Sequence, residues 1–254
     1  MASRGASTIH GTDDQGVRIL ELDDPGRRNA LTVGLLDGLI GELEACAERS
    51  DIHAVLLRGR GPCFCAGFDL QAVVDEPKVL DELIERLSIA IRTMRRLPQV
   101  VVIAAHGAAI AGGCALLTGA DAVFVEDGTT AGYPVHPLGV SPAVTIPTLR
   151  QRIGDGRTRE LLLGGRLVRG RDLVELGLAT HWIETDMHAA ALEWTRGAAG
   201  RSSNAMRTTK RWLNELDGSH DDASFDGPVD GSRALTGGTE AIEMLTTFWN
   251  SRRT

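Results

Sequence analysis

From Val100 to Leu117 every residue except His106 is apolar or glycine. About 18 such residues in a row are enough to span a bilayer, so this stretch decides first between a membrane helix and a folded core. The order of residue types decides for the core. VVVIAA (100–105) is a β-branched run typical of a strand buried on both faces, Gly107 breaks it, and the Gly112–Gly113 pair weakens any continuous helix. No membrane partner is expected.

The flanking sequence repeats this alternation of strand and helix. VRILEL (17–22) alternates as a strand does, the polar turn DDPGRRN follows, and Leu31 to Glu48 carries a helical period. HAVLLRG (53–59) reads as a buried strand leading into the glycine-bearing loop RGPCFCAGFDL. A long helix near 78–97 closes before Pro98, and after the glycine loop and a short helix comes the strand DAVFVED. The fold class is α/β. From about residue 142 the pattern turns helical, with GLATHWIE as the only late strand expected. Residues 217–238, rich in Gly, Asp and Ser, read as a mobile excursion before a terminal helix over Glu240 to Arg252. The expected organisation is a core over 1–195 and a helical region over 196–254. A chain of 254 residues, 43% hydrophobic, is long enough to bury a full core.

Charge and cysteine usage exclude several function classes. Lys and Arg total 27 against 34 Asp and Glu, a net charge of −7, with no basic run longer than a pair, so nucleic acid is not an expected partner. Cys46, Cys63, Cys65 and Cys114 form no CxxC pair and no Cys/His set suited to zinc, so no metal is expected and a reduced, cytoplasmic chain is. The opening MASRGASTIHG has no apolar run of signal-peptide length; short and acid-poor, it gives only a faint transit-peptide hint. The Asp-rich stretch lacks the fixed spacing of a calcium loop.

GxGxxG, P-loop, GxSxG and HExxH motifs are all absent. Two glycine loops remain, CAGFDL (65–70) and HGAAIAGG (106–113), each following a buried strand. A loop at the carboxyl end of a strand, running onto a helix start, presents free N–H donors and the positive end of the helix dipole to one point. Two such points side by side make an oxyanion hole.

RRNAL (27–31), CFCAGFDL (63–70), HGAAIAGGCALLTGADAVFV (106–125), LGVSPA (138–143), RELLLGGRLVRGRDLVELGLAT (159–180) and AMRTTKRWL (205–213), in this order, resemble the crotonase, or enoyl-CoA hydratase/isomerase, family over nearly the whole chain. The resemblance implies a crotonase-like spiral core of ββα turns and a helical C-terminal region that builds a homotrimer or a dimer of trimers. It also implies an acyl-CoA thioester as ligand, with coenzyme A entering as part of the substrate and no separate cofactor. By position, the backbone N–H groups of Phe68 and Gly112 would be the oxyanion donors. Asn29, Ala30 and Leu31 would contact the nucleotide or pantetheine, Arg27 and Arg28 the CoA phosphates, and Ala66 and Leu70 would flank the channel. Phe248, Trp249 and Arg252 of the terminal helix are candidates for covering the adenine.

Hydratases of this family carry a glutamate three residues after the oxyanion glycine and a second about twenty further on, one to activate water and one to manage the proton at carbon. Here Ala115 and Val135 occupy those positions. His136 and Tyr133 are the candidate substitutes. Pro137 favours an extended backbone that sends His136 away from Val135, whereas Tyr133 shares the side of Val135. Asp75 or Glu76 would be a carboxylate hanging over the pocket. His106 reads as a hydrogen-bonded core residue, Cys63 and Cys65 as inert, and Asp69 as a bond to local N–H groups. Three functions remain open: enolate chemistry on an acyl-CoA without paired glutamates, as in a single-base isomerase or a decarboxylase; hydration with relocated acid–base groups; and a non-catalytic CoA-thioester binding protein or degenerate subunit.

Overall fold

The computed structural model describes residues 8–251, with side chains to residue 248. Strand β1 (Thr8–Asp14) turns back into β2 (Val17–Asp23) as an antiparallel pair, and α1 (Val33–Ala47) leads to β3 (Ala54–Gly59). The short α2 (Leu70–Asp75) and the long α3 (Val79–Arg96) precede β4 (Val100–Ala105). Then come β5 (Ala108–Ile110), α4 (Gly112–Gly119), β6 (Ala122–Val125) and β7 (Thr130–Gly132). The 100–117 stretch is thus strand, strand and helix, split at Gly107 as its residue types require. Among the described residues no helix is long and apolar enough to cross a membrane.

Helices α5 (Ile146–Ile153) and α6 (Asp155–Gly164) follow, then β8 (Leu167–Arg169), α7 (Asp172–Leu176) and β9 (His181–Trp182). Four helices close the chain: α8 (Met187–Ala199), α9 (Ser203–Leu216), α10 (Ala223–Arg233) and α11 (Thr239–Ser251). The main sheet has the order β1-β2-β3-β4-β6-β9, parallel from β2 onward, and β5-β7-β8 form a second, smaller sheet.

Every residue of β4 is buried, and its two sets of alternating side chains enter two different cores. Val55, Leu57, Val101 and Ile103 face the core built with α1 and α3, whereas Ala54, Leu56, Val100 and Val102 meet Met187 and Ala191 of α8. Lys210 of α9 ties the C-terminal helices to this sheet. Its buried ammonium donates to the carbonyls of Met94 and Gln99 and to Asp121, whose carboxylate also accepts from the N–H of Val101.

Two expectations need correcting. His181–Trp182 is not the only late strand, because Leu167–Arg169 pairs with β7. Within 217–238, Ala223–Arg233 form a helix in spite of Gly227, Pro228 and Gly231. The reason is tertiary: Arg92, Arg95 and Arg96 of α3 bind Asp217, Asp222 and Asp226, and the Phe225 ring lies against the guanidinium groups of Arg92 and Arg96.

Candidate active site

The loops that follow β3 and β4 are stitched to each other and to the turn after β2. Phe64 donates to the carbonyl of His106 (2.9 Å), Cys65 to Ala108 (2.9 Å), and Ile110 back to Cys65 (3.0 Å). On the other side Leu31 donates to Gly67 (2.7 Å) and Asp69 to Leu31 (3.0 Å). Gly67 holds φ at +93°, and a Cβ there would stand 2.9 Å from the carbonyl oxygen of Ile110, so only glycine lets the two loops meet.

In this parallel bridge Phe68 turns its own N–H away from Leu31. Gly112 is the first residue of α4, where an N–H has no intrahelical acceptor. Among the described residues neither N–H donates to the protein. Ala111 between them and the strand sits at φ 51° and ψ −109°, a strained conformation for a non-glycine residue, fixed by its N–H bond to Gly132. The two residues are neighbours: a Cβ built on Gly112 would lie 3.4 Å from the Phe68 ring and 2.8 Å from Leu31 Cδ1.

Phe68, Gly112, Ala115, Tyr133, Val135 and Thr145 line an inner cavity. Ala66, Leu70, Leu80, Leu138, Leu245 and Phe248 line an outer one, and Phe68, Ala111, Val135 and Val140 belong to both. No carboxylate, lysine, arginine or histidine lines either cavity. Ala115 and Val135, at the positions that carry glutamates in hydratases of the family that the sequence resembles, both line the inner cavity and bring no carboxylate to it. The buried Tyr133 hydroxyl lies 3.0 Å from Thr145 Oγ1 and meets the Cys114 thiol. Burial holds the Tyr133 phenol well above its usual range and pushes the Cys114 thiol up to about 12, so both stay protonated.

The other expected residues separate into those at the site and those away from it. His136 is exposed and lines a different groove with Arg150 and Arg159. The expected separation from Val135 is present, but it comes from a 3-10 turn over His136–Leu138 rather than from extended backbone. Asn29 does not face the channel. Its side chain is fully buried, donating to the carbonyls of Arg60, Cys63 and Phe64 and accepting from the N–H of Asp24, so it braces the loop from behind. Ala30 and Leu31 are buried as well, with Leu31 beneath Gly112.

Arg27 is engaged by Asp24 and Asp69, while Arg28 is exposed with no ion pair among the described residues. Asp69 caps α2 through the N–H groups of Gln71 and Ala72. Ala66, Leu70 and Phe248 line the outer cavity; the Trp249 side chain and Arg252 lie outside the described residues. Asp75 and Glu76 are exposed and line neither cavity. His106 bonds the carbonyl of Gly61 at 2.8 Å, and Cys63 and Cys65 are buried, the Cys65 thiol pushed up to about 12 by burial. Ile84, Leu87, Ser141, Pro142 and Val144 also wall the inner cavity. LGVSPA marks part of that wall in the sequence, but the pairing of α3 with it is set by tertiary packing.

Comparison with known proteins places the chain in one family. The family model described as enoyl-CoA hydratase/isomerase matches residues 12–224. A Thermus thermophilus protein assigned by name to the enoyl-CoA hydratases is 30% identical over 204 residues, covering 79% of each chain. The 2,3-dehydroadipyl-CoA hydratase of Escherichia coli is 27% identical over 205 residues, again 79% of each. Among solved structures, enoyl-CoA hydratase from Bacillus halodurans superposes with a TM-score of 0.87 at 20% identity, covering 95% of this chain and 100% of its own. That last likeness concerns the fold alone.

Proposed function

The chain belongs to the enoyl-CoA hydratase/isomerase family, and from that membership we propose that it binds an acyl-CoA thioester and stabilises the enolate formed at its α-carbon. The carrying observation is that Phe68 and Gly112, two neighbouring residues whose N–H groups meet no protein acceptor among the described residues, line a cavity that holds no carboxylate, lysine, arginine or histidine. As the α-carbon takes up an electron pair, charge gathers on the thioester oxygen, and each preorganised donor is worth about 10²–10³ in rate. The pantetheine arm would run through the outer cavity past Ala66, Leu70 and Phe248, with Arg28 near the CoA phosphates. Coenzyme A comes as part of the substrate.

Ala115 and Val135 supply no carboxylate, which favours enolate chemistry that needs no paired base. Two reactions fit: movement of a double bond by a single proton carrier, and loss as CO₂ of a carboxylate borne on the α-carbon, where the electron pair of the broken C–C bond stays and is delocalised onto the thioester oxygen. In the second, Tyr133, kept protonated by burial, would return a proton to that carbon and be recharged from solvent. The same lack of carboxylates favours, as a second reading, a thioester-binding protein without turnover. Trp212, Leu213 and Leu216, exposed on α9, support assembly with further copies of the chain, and four buried free thiols fit a reducing compartment such as the cytoplasm.

The test is incubation with crotonyl-CoA and, separately, methylmalonyl-CoA in D₂O, with calorimetry for binding and mass spectrometry for deuterium uptake and CO₂ loss. Deuteration at the α-carbon or decarboxylation is expected. Binding without either leaves the thioester-binding reading, and no binding by any thioester ends both.

A further inference from the structure

We infer that α10 is an adjustable stop that sets the length of acyl chain the inner cavity accepts. This rests on the acyl-CoA reading of the site. The far wall of that cavity is made by Ile84 and Leu87 of α3 and by Ser141, Pro142, Val144 and Thr145. Behind this wall lies α10. Ser232 grips the wall from both sides of its bend, accepting from the N–H of Val144 (3.1 Å) and donating to the carbonyl of Ser141 (3.3 Å), while Phe225 and Val229 are buried beneath.

The helix itself is intrinsically weak. Gly227, Pro228 and Gly231 lie within its eleven residues, and proline removes a backbone bond while glycine adds unfolded-state freedom. Charge holds it in place. Arg92 reaches Asp222 (3.2 Å) and Asp226 (3.4 Å), Arg96 reaches Asp222 (2.8 Å), and Arg233 reaches Asp81 on α3 (2.8 Å). These pairs are partly exposed, so each is weak and screened by salt. A wall backed by a weak helix under a salt-sensitive clamp gives way before one backed by a sheet. Short acyl chains fit with α10 docked, and longer chains bind only when it lifts, which lowers their apparent affinity by the fraction of lifted molecules.

The experiment titrates butyryl-, hexanoyl-, octanoyl- and decanoyl-CoA into the full chain by calorimetry at 0.05 M and 0.5 M salt, for the unaltered protein and for D222N/D226N and S232A. The quantity read is the octanoyl-to-butyryl affinity ratio, in which the salt dependence of the shared CoA moiety cancels. Both loosened variants should raise the ratio at least tenfold with butyryl-CoA affinity kept within threefold, and 0.5 M salt should raise it in the unaltered protein. A ratio constant within twofold across salt and variants, with butyryl-CoA still bound, overturns the role of α10. Should a variant fail to fold, the salt series on the unaltered protein decides alone. Absence of binding by all four thioesters removes the acyl-CoA reading and this inference together.

Discussion

In the proposed mechanism Gly112 acts through a single group, its backbone N–H. Proline at the first position of a helix suits the backbone and deletes that donor. Gly112→Pro should therefore lower turnover by about 10²–10³, the worth of one oxyanion donor. Gly112→Ala is the control: it keeps the N–H and presses only on the ends of the Leu31 and Phe68 side chains. Steady-state rates of the two variants, with circular dichroism to confirm folding, separate donor loss from crowding; equal rates would remove the donor from the mechanism. Backbone donors of this kind are legible in sequence only through the glycines around them, and it is those glycine loops that the structure brings together at Phe68 and Gly112. Asn29 shows the limit. In RRNAL it reads as a ligand contact, yet what it satisfies is three carbonyls of a loop more than thirty residues away.

Among the elements, those whose own residues specify them were readable. β3 and β4 are apolar runs, and α3 has a helical period closed by a proline, so their positions follow from pattern. β1, β5, β7 and β8 are polar or only three residues long, and α10 contradicts helix propensity, so each exists because of what it packs against. α9 depends on one buried group. Lys210→Met removes the ammonium and leaves its carbonyl acceptors and Asp121 without it, and breaking a buried pair costs about 3–5 kcal/mol. Chemical denaturation should show a midpoint shift of that size. A change below about 1 kcal/mol would mean that α9 is held by its apolar contacts instead.

For the whole molecule, the buried titratable groups define a window of stability. Burial pushes the thiols of Cys46, Cys65 and Cys114 from 9.0 up to about 11, 12 and 12. The folded state keeps protons that the unfolded chain releases, so the stability they contribute is full below pH 9 and is lost as pH rises toward 11–12. At pH 10 each thiol accounts for at most about 1.4 kcal/mol. Lys210, lowered by burial, works in the opposite direction but is outnumbered. On the acid side burial lowers His181 and His188 from 6.5, so their contribution is present above 6.5 and lost as pH falls. Melting temperature should be higher at pH 7.5 than at pH 5.5 or pH 10; a melt that rises from 7.5 to 10 would contradict the thiol assignment. Assembly is tested on the same scale. Trp212 and Leu216, one helical turn apart, form an exposed apolar face with Leu213, so sedimentation should give about three times the 27.1 kDa chain, and L213E/L216E should sediment as the single chain. An unaltered protein that sediments as one chain would remove that face as an interface. The arginine face of α3 adds a consequence in time. Arg95 waits for Asp217, 122 residues downstream, and Arg92 for Asp226, 134 residues downstream. At about 5–20 residues per second a ribosome takes roughly 6–27 s to supply those partners. For that interval the nascent chain carries an arginine stripe without these partners, and α10 cannot yet dock behind the wall of the inner cavity.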